Sequence, residues 1–493
     1  VSLKTKTNII SLSVFAVFFV MGWQFGFSPV KNSFEIASDN VKLVKHKLWG
    51  LPHAALPSNY ISDNQYRTDI LHYDLSFDLY PKEKILKGEV IITGTFKDSG
   101  GALDLNFYDN MKINYLALNG EETSFHHEDT RLSITYGNNE ADTFIAEIHY
   151  EGTPKRIGLS SFVFGEINGR SAVYNLNEPV YASTWFPCND IPDDKALADI
   201  HITNDTIYTS VSNGTLLAEE IDEDRKTFHW KVIYPISTYL VSIYSSEYVN
   251  FSDYYVSDIS GDTLPIEYYV FPEHLQNAKT DFAEHPEMIK FFANTFGEYP
   301  FIKEKYGVAE FLWQLGAMEH QTITGIGSNF IGGKKFFTDI YVHELAHQWF
   351  GNAVGPKSWK NIWLNEGFAT YCEALYDEHK AGPDALKATM LSKFDNNFSG
   401  TLYNPGENIY NLFSSTIYSK GAWVLHMLRW EVGDSTFFKI LREYFEKYKY
   451  KSAATSDFIA VCEEASGKDL TQFFDQWVYT GDDMIKMNII WNI

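Results

Sequence analysis

From about residue 66 to 250, hydrophobic and polar positions alternate with a period of two. Tyr73, Leu75, Phe77 and Leu79 fall on one side of their run, as do Leu132, Ile134 and Tyr136, and then Phe144, Ala146, Ile148 and Tyr150. Such alternation sends one row of side chains into a core and leaves the other in water. Asn119-Gly120 and Asn213-Gly214 read as turns between these runs. The pattern predicts a mainly antiparallel β domain over residues 61–252, each sheet with one solvated face. From about residue 278 the period becomes helical. Ala283 to Phe296 predicts a helix ended by Gly297-Glu298-Tyr299-Pro300. Further helices are expected over Tyr418 to Trp430, over Asp457 to Ala465 with Thr455 and Ser456 as capping candidates, and over Leu470 to Val478. Val308 to Leu312 is short, apolar and strand-like. Residues 253–493 therefore read as an α-rich domain with a small sheet.

The amino end follows neither period. Lys4 and Lys6 precede a charge-free stretch from Thr7 to Val30, whose apolar core runs from Ile9 to Phe27. About 20 apolar residues span a bilayer, and lysines before the run favour a cytoplasmic amino end. Residues 1–30 are expected to be a signal peptide or a transmembrane anchor. The anchor is favoured, because a cleaved signal has a shorter core and ends at an A-x-A-like site. Both readings export the rest of the chain to the cell envelope or beyond. Residues 31–60, with Pro52 and Pro57, read as a linker.

Composition narrows the function classes. The 493-residue chain is 45% hydrophobic and 16% aromatic, enough for more than one packed domain. Its net charge of −24 argues against nucleic acid, which needs a basic footprint. Cys188, Cys372 and Cys462 are too few for a disulfide framework and contain no C-x-x-C.

The chemistry concentrates in Tyr341-Val342-His343-Glu344-Leu345-Ala346-His347-Gln348-Trp349-Phe350, which carries H-E-x-x-H. Residues four apart share a helix face, so His343 and His347 can offer two imidazoles to one metal ion. Glu344 is then placed to act on a water rather than to ligate. Eighteen residues separate His347 from Glu366, in Asn365-Glu366-Gly367-Phe368-Ala369-Thr370. Two histidines and a glutamate form a catalytic zinc set with a position left open.

Other segments strengthen this reading. Gly316-Ala317-Met318-Glu319 lies upstream of the metal motif, and Trp363-Leu364-Asn365-Glu366-Gly367-Phe368-Ala369 lies downstream. With Phe186-Pro187-Cys188, Tyr418-Ser419-Lys420-Gly421-Ala422 and Phe473-Phe474-Asp475-Gln476-Trp477-Val478, the stretch from Tyr66 to Gly481 resembles the aminopeptidase N-like zinc metallopeptidases (gluzincins), a family that includes leukotriene hydrolase. The resemblance implies a multidomain α+β chain with a saddle-like antiparallel β domain followed by a thermolysin-like, mainly helical catalytic domain. It implies one Zn2+ per chain, held by His343, His347 and Glu366, and removal of single residues from peptides with a free amino end. Glu344 would be the general base and Tyr418 the oxyanion donor. Glu319 and Glu178 would bind the substrate ammonium by charge-assisted hydrogen bonds. Gly316 and Ala317 would lie along the substrate as an added strand.

Three features depart from the family pattern. His320 stands where Asn is usual, either as a satisfied structural histidine or as a titratable group beside the amine site. Asp482-Asp483 replaces a proline, and the C-terminal roof domains are absent before Ile493, which would leave a more open cleft. Two other functions use the same residues: a zinc endopeptidase or epoxide hydrolase, and a non-catalytic peptide-binding protein. Glu319 and Glu178 argue against the first, because buried carboxylates without an ammonium partner are costly. Glu344 and Tyr418 argue against the second.

Overall fold

The computed structural model describes residues 60–97, 102–136, 143–394, 398, 400–406 and 409–481. The expected signal or anchor, the linker up to residue 59 and Asp482-Asp483 lie outside them. Among the described residues no helix is long and apolar enough to cross a membrane.

The period-two region folds into β-sheet as its alternation requires. An eight-stranded sheet runs in the order Thr215–Asp222, Arg225–Ser237, Lys195–Asp205, Thr68–Tyr80, Ile85–Phe96, Thr143–Gly152, Lys112–Leu118 and Glu121–Glu122. Most neighbours are antiparallel, but Thr68–Tyr80 and Lys195–Asp205 run parallel, with Leu75 opposite Ile200. Along Thr68–Tyr80, Tyr73, Leu75, Phe77 and Leu79 are buried, while the residues between them are more open. Their core includes Trp185 and Phe186 and extends to Phe311 and Ile323 of the following domain. The two domains therefore share packed apolar surface.

The second domain opens with a five-stranded sheet in the order Val249–Val256, Thr263–Val270, Tyr306–Phe311, Ile323–Gly327 and Ala317–Met318. The position 252/253, where the alternation suggested a division, falls inside the first of these strands. Helices His285–Phe296, Thr338–Ala346, Trp363–Ala381 and Gly421–Val432 pack into one apolar core with Val308, Trp349 and Phe368.

Asn213-Gly214 turns between strands Thr209–Val211 and Thr215–Asp222, as expected. The turn is buried, and Asn213 Nδ2 donates to Leu240 O at 2.9 Å and to Gln321 O at 2.6 Å. That turn fastens one domain to the other. Two local expectations need correction. Thr455 is the first helical residue, not the cap. Asp457 accepts from the Ala454 N–H at 2.8 Å, and Thr455 N donates to Asn361 Oδ1 at 2.8 Å. Finally, the stretch Tyr418 to Trp430 is not one α-helix. Thr416–Lys420 forms a π-helical turn ahead of Gly421–Val432.

Candidate metal and peptide site

Helix Thr338–Ala346 carries His343, and His347 follows as its C-cap with helical φ. Glu366 projects from the first turn of Trp363–Ala381. His343 Nε2 and His347 Nε2 lie 3.1 Å apart, and Glu366 Oε2 is 3.3 Å and 3.4 Å from them. A triangle with those sides has a circumradius of about 1.9 Å, close to zinc–ligand bonds of roughly 2.0–2.2 Å, so these three atoms would suit a zinc ion.

The opposite ring nitrogens are also engaged. His343 Nδ1 is 2.8 Å from Glu373 Oε1, and His347 Nδ1 is 3.1 Å from Phe350 O. Each partner accepts a hydrogen bond from Nδ1–H, which leaves Nε2 free as a ligand. Lys393 Nζ donates to Glu373 Oε2 at 2.5 Å. Against burial, which would raise it, His347 and His343 hold the Glu366 carboxyl at about 2. The donor set fits zinc by type, by spacing and by tautomer.

Glu344 is buried beside these ligands, and among the described residues its Oε2 has no hydrogen-bond partner. Burial pushes its carboxyl up to about 8, with His343 pulling the other way. Tyr418 stacks on His343 at 5.8 Å between centroids and 14° between planes. Its phenol is driven well above the ordinary value, first by burial and then by Glu366, which keeps the hydroxyl a donor. Tyr418 is brought there by a close helix crossing: a Cβ on Gly367 would lie 2.9 Å from Gly421 Cα. Only glycine permits that approach.

Glu178 and Glu319 enter from different places. Glu178 follows strand Arg170–Leu176, and Glu319 follows the sheet-edge strand Ala317–Met318. Both are only 4% exposed, so the surface position that Glu178 could have taken is not the one it occupies. Glu178, Glu319 and Glu366 each place a carboxylate oxygen within 4.8 Å of the others. Among the described residues, Glu178 Oε1 and Glu319 Oε1 have no hydrogen-bond partner. Burial first, then Glu319 and Glu366, raises Glu178 well above the carboxylate range. Three buried carboxylate groups at this spacing suit a cation. The Glu319 carbonyl is itself fixed, accepting from Asn352 Nδ2 at 2.7 Å and Gln348 Nε2 at 3.3 Å.

Gly316 and Ala317 lie on the free edge of the five-stranded sheet, where Ala317 pairs with Ile326 on one side. His320 is fully buried, with Nδ1 2.6 Å from Tyr244 Oη. Burial lowers its imidazole to about 3, so it is a neutral structural histidine rather than a titratable group. Reading the sequence missed Glu373, Lys393, Gln348 and Asn352. Glu373 was findable, because it stands seven residues after Glu366 and shares its helix face.

Fold and donor set together define a two-domain, thermolysin-like zinc metalloprotein. Residues 70–240 match the peptidase M1 N-terminal domain, and residues 281–477 match the peptidase family M1 domain. Human glutamyl aminopeptidase is 32% identical over 351 residues, which cover 66% of this chain and 36% of that protein. Aminopeptidase 2 of Candida albicans is 26% identical across 94% of this chain and 51% of its own length. The chain thus spans between about a third and a half of these relatives. The M1 zinc metallopeptidase of Deinococcus radiodurans superposes with a TM-score of 0.75 at 24% identity, covering 85% of this chain and 95% of that one. The chain belongs to peptidase family M1.

Proposed function

We propose that the protein is a zinc aminopeptidase that removes single residues from the free amino end of peptides. The observation that carries this reading is the pair of carboxylates of Glu178 and Glu319, buried beside the His343–His347–Glu366 donors, with one oxygen of each lacking a hydrogen-bond partner among the described residues. Carboxylates are not left buried without a counter-charge at no cost, and a substrate ammonium supplies one. An ammonium fixed there limits cleavage to the first peptide bond.

When bound, zinc polarises the scissile carbonyl and acidifies water. Glu344 Oε2 accepts the proton of the attacking water and delivers it to the departing amine nitrogen. The Tyr418 hydroxyl donates to the oxygen that gains charge as the carbonyl becomes tetrahedral. The edge strand Ala317–Met318 offers its free backbone groups to the extended substrate. The charge-free run behind Lys4 and Lys6 supports a position outside the cytoplasm. The test is product analysis: an unblocked peptide incubated with the zinc-loaded protein should shorten by one residue at a time from its amino end. Internal fragments appearing first would contradict the assignment.

A further inference from the structure

The turn that follows the metal motif touches both halves of the site. The Phe350 carbonyl holds His347 Nδ1 at 3.1 Å, and the Asn352 side chain holds the Glu319 carbonyl at 2.7 Å. Its own outward carbonyls are gripped from the β domain. Lys195 Nζ donates to Asn352 O at 2.6 Å and to Ala353 O at 3.1 Å, and the Tyr239 hydroxyl donates to Gly351 O at 3.0 Å.

The grip has a firm base. Lys195 is the first residue of an interior strand, third from one edge of the eight-stranded sheet, in register with Ser237. Its stem is accommodated by Gly355, where a Cβ would come within 2.9 Å of Lys195 Cε. A lysine placed here bridges two consecutive carbonyls. Ala353 O also accepts from the Tyr450 N–H at 2.7 Å, so a residue without a donor at position 195 deprives Asn352 O of this bond and Ala353 O of its second one. A lysine rooted in another domain fixes where the turn stands.

We propose that Lys195 is a positioning residue for recognition of the substrate amine: from the β domain it clamps the turn Gly351–Ala353, so that Asn352 holds Glu319 in place to meet the substrate ammonium. The inference rests on the aminopeptidase reading above. Lys195 does not touch substrate; it acts through Asn352. The amine contact is made in the ground state and kept in the transition state, so loosening it raises KM more than it lowers kcat.

The experiment compares wild type, Lys195→Met, Lys195→Arg, Asn352→Ser and the double variant Lys195→Met/Asn352→Ser, all zinc-loaded. For each, KM and kcat are measured on an aminoacyl chromogenic amide, and binding of a free amino acid and its N-acetyl form is measured by calorimetry. Zinc content and thermal midpoint are recorded alongside. In Lys195→Met, KM and the free amino acid's dissociation constant should rise roughly three- to tenfold, as expected for loss of one hydrogen-bonded support. Zinc content should stay at one per chain, and binding of the N-acetyl form should be unchanged. Lys195→Arg should recover most of the loss. Asn352→Ser should show the same signature, and the double variant should be no worse than the worse single one. If Lys195→Met does not fold, Asn352→Ser alone decides, since it removes the link to Glu319 and leaves the lysine contacts intact.

A lysine that merely ties the domains together would lower the thermal midpoint and leave KM unmoved, which would overturn the proposal. So would additive effects of the two substitutions, or an Asn352→Ser protein with wild-type KM. A wild type that neither cleaves nor binds free amines would instead overturn the functional reading on which this one stands.

Discussion

Glu373 stands directly behind His343, its Oε1 2.8 Å from Nδ1, with its other oxygen held by Lys393 at 2.5 Å. The pair orients the imidazole and makes it a stronger ligand, a job the metal triad cannot do for itself. Glu373→Gln keeps the shape and removes the charge, and should weaken zinc binding by about 10- to 100-fold. Competition with a chelator of known affinity measures this. Unchanged affinity would show that His343 is oriented by other contacts.

The crossing of Gly367 and Gly421 should be equally sensitive. A Cβ on Gly421 would fall 2.8 Å from Gly367 Cα, backbone against backbone. Gly421→Ala should therefore cost about 1–3 kcal/mol of stability and displace Tyr418 with the helix start. Urea unfolding should show the loss, and kcat should fall with it. A fully active, equally stable variant would mean that the helices can separate without moving the tyrosine.

Glu344 and Tyr418 should separate chemistry from binding. Glu344→Gln should retain zinc and lower kcat by about 100- to 10,000-fold. Tyr418→Phe should lower kcat by roughly 100- to 1,000-fold with little change in KM, because the hydroxyl is needed only once the carbonyl oxygen gains charge. Steady-state kinetics beside zinc analysis checks both.

Acid stability should depend on a histidine outside the site. His285 is 1% exposed, its Nδ1 lacks a hydrogen-bond partner among the described residues, and its ring lies 5.6 Å from Tyr268 and 5.5 Å from Phe282. Burial lowers it from 6.5 to about 3. Between those values the unfolded chain holds a proton that the folded chain does not. Stability is therefore intact above pH 6.5 and falls as the pH drops towards 3, at up to about 1.4 kcal/mol per pH unit. His285→Phe should flatten that limb, and urea midpoints of chelator-treated protein at pH 7 and pH 4.5 test it. Equal losses in both proteins would contradict the assignment.

The parts of this molecule legible in the sequence are those written locally. The alternation of Tyr73, Leu75, Phe77 and Leu79 exposed a sheet because burial has the period of the strand. His343 and His347 declared themselves because four residues make one helical turn. What stayed hidden depends on partners far away in the chain. Asn213-Gly214 carries turn chemistry, but whether water or Gln321 meets that turn is decided by domain docking. Thr455 looks like a cap until Asn361, 94 residues earlier, takes its N–H. The role of Lys195 lies in two carbonyls more than 150 residues away. Glu178 and Glu319 were reached through family resemblance alone, since nothing near either residue in the sequence says that both are buried beside one metal site.

The central claim is that a cation receptor beside a zinc set makes this protein an exopeptidase. A panel of aminoacyl chromogenic amides and their N-acetylated versions, assayed with residues 31–493 in the presence and absence of a zinc chelator, tests it most directly. Cleavage of the free amines alone, abolished by the chelator and restored by zinc, is the result the account predicts. Equal cleavage of the blocked substrates would contradict it and remove the roles given to Glu178 and Glu319.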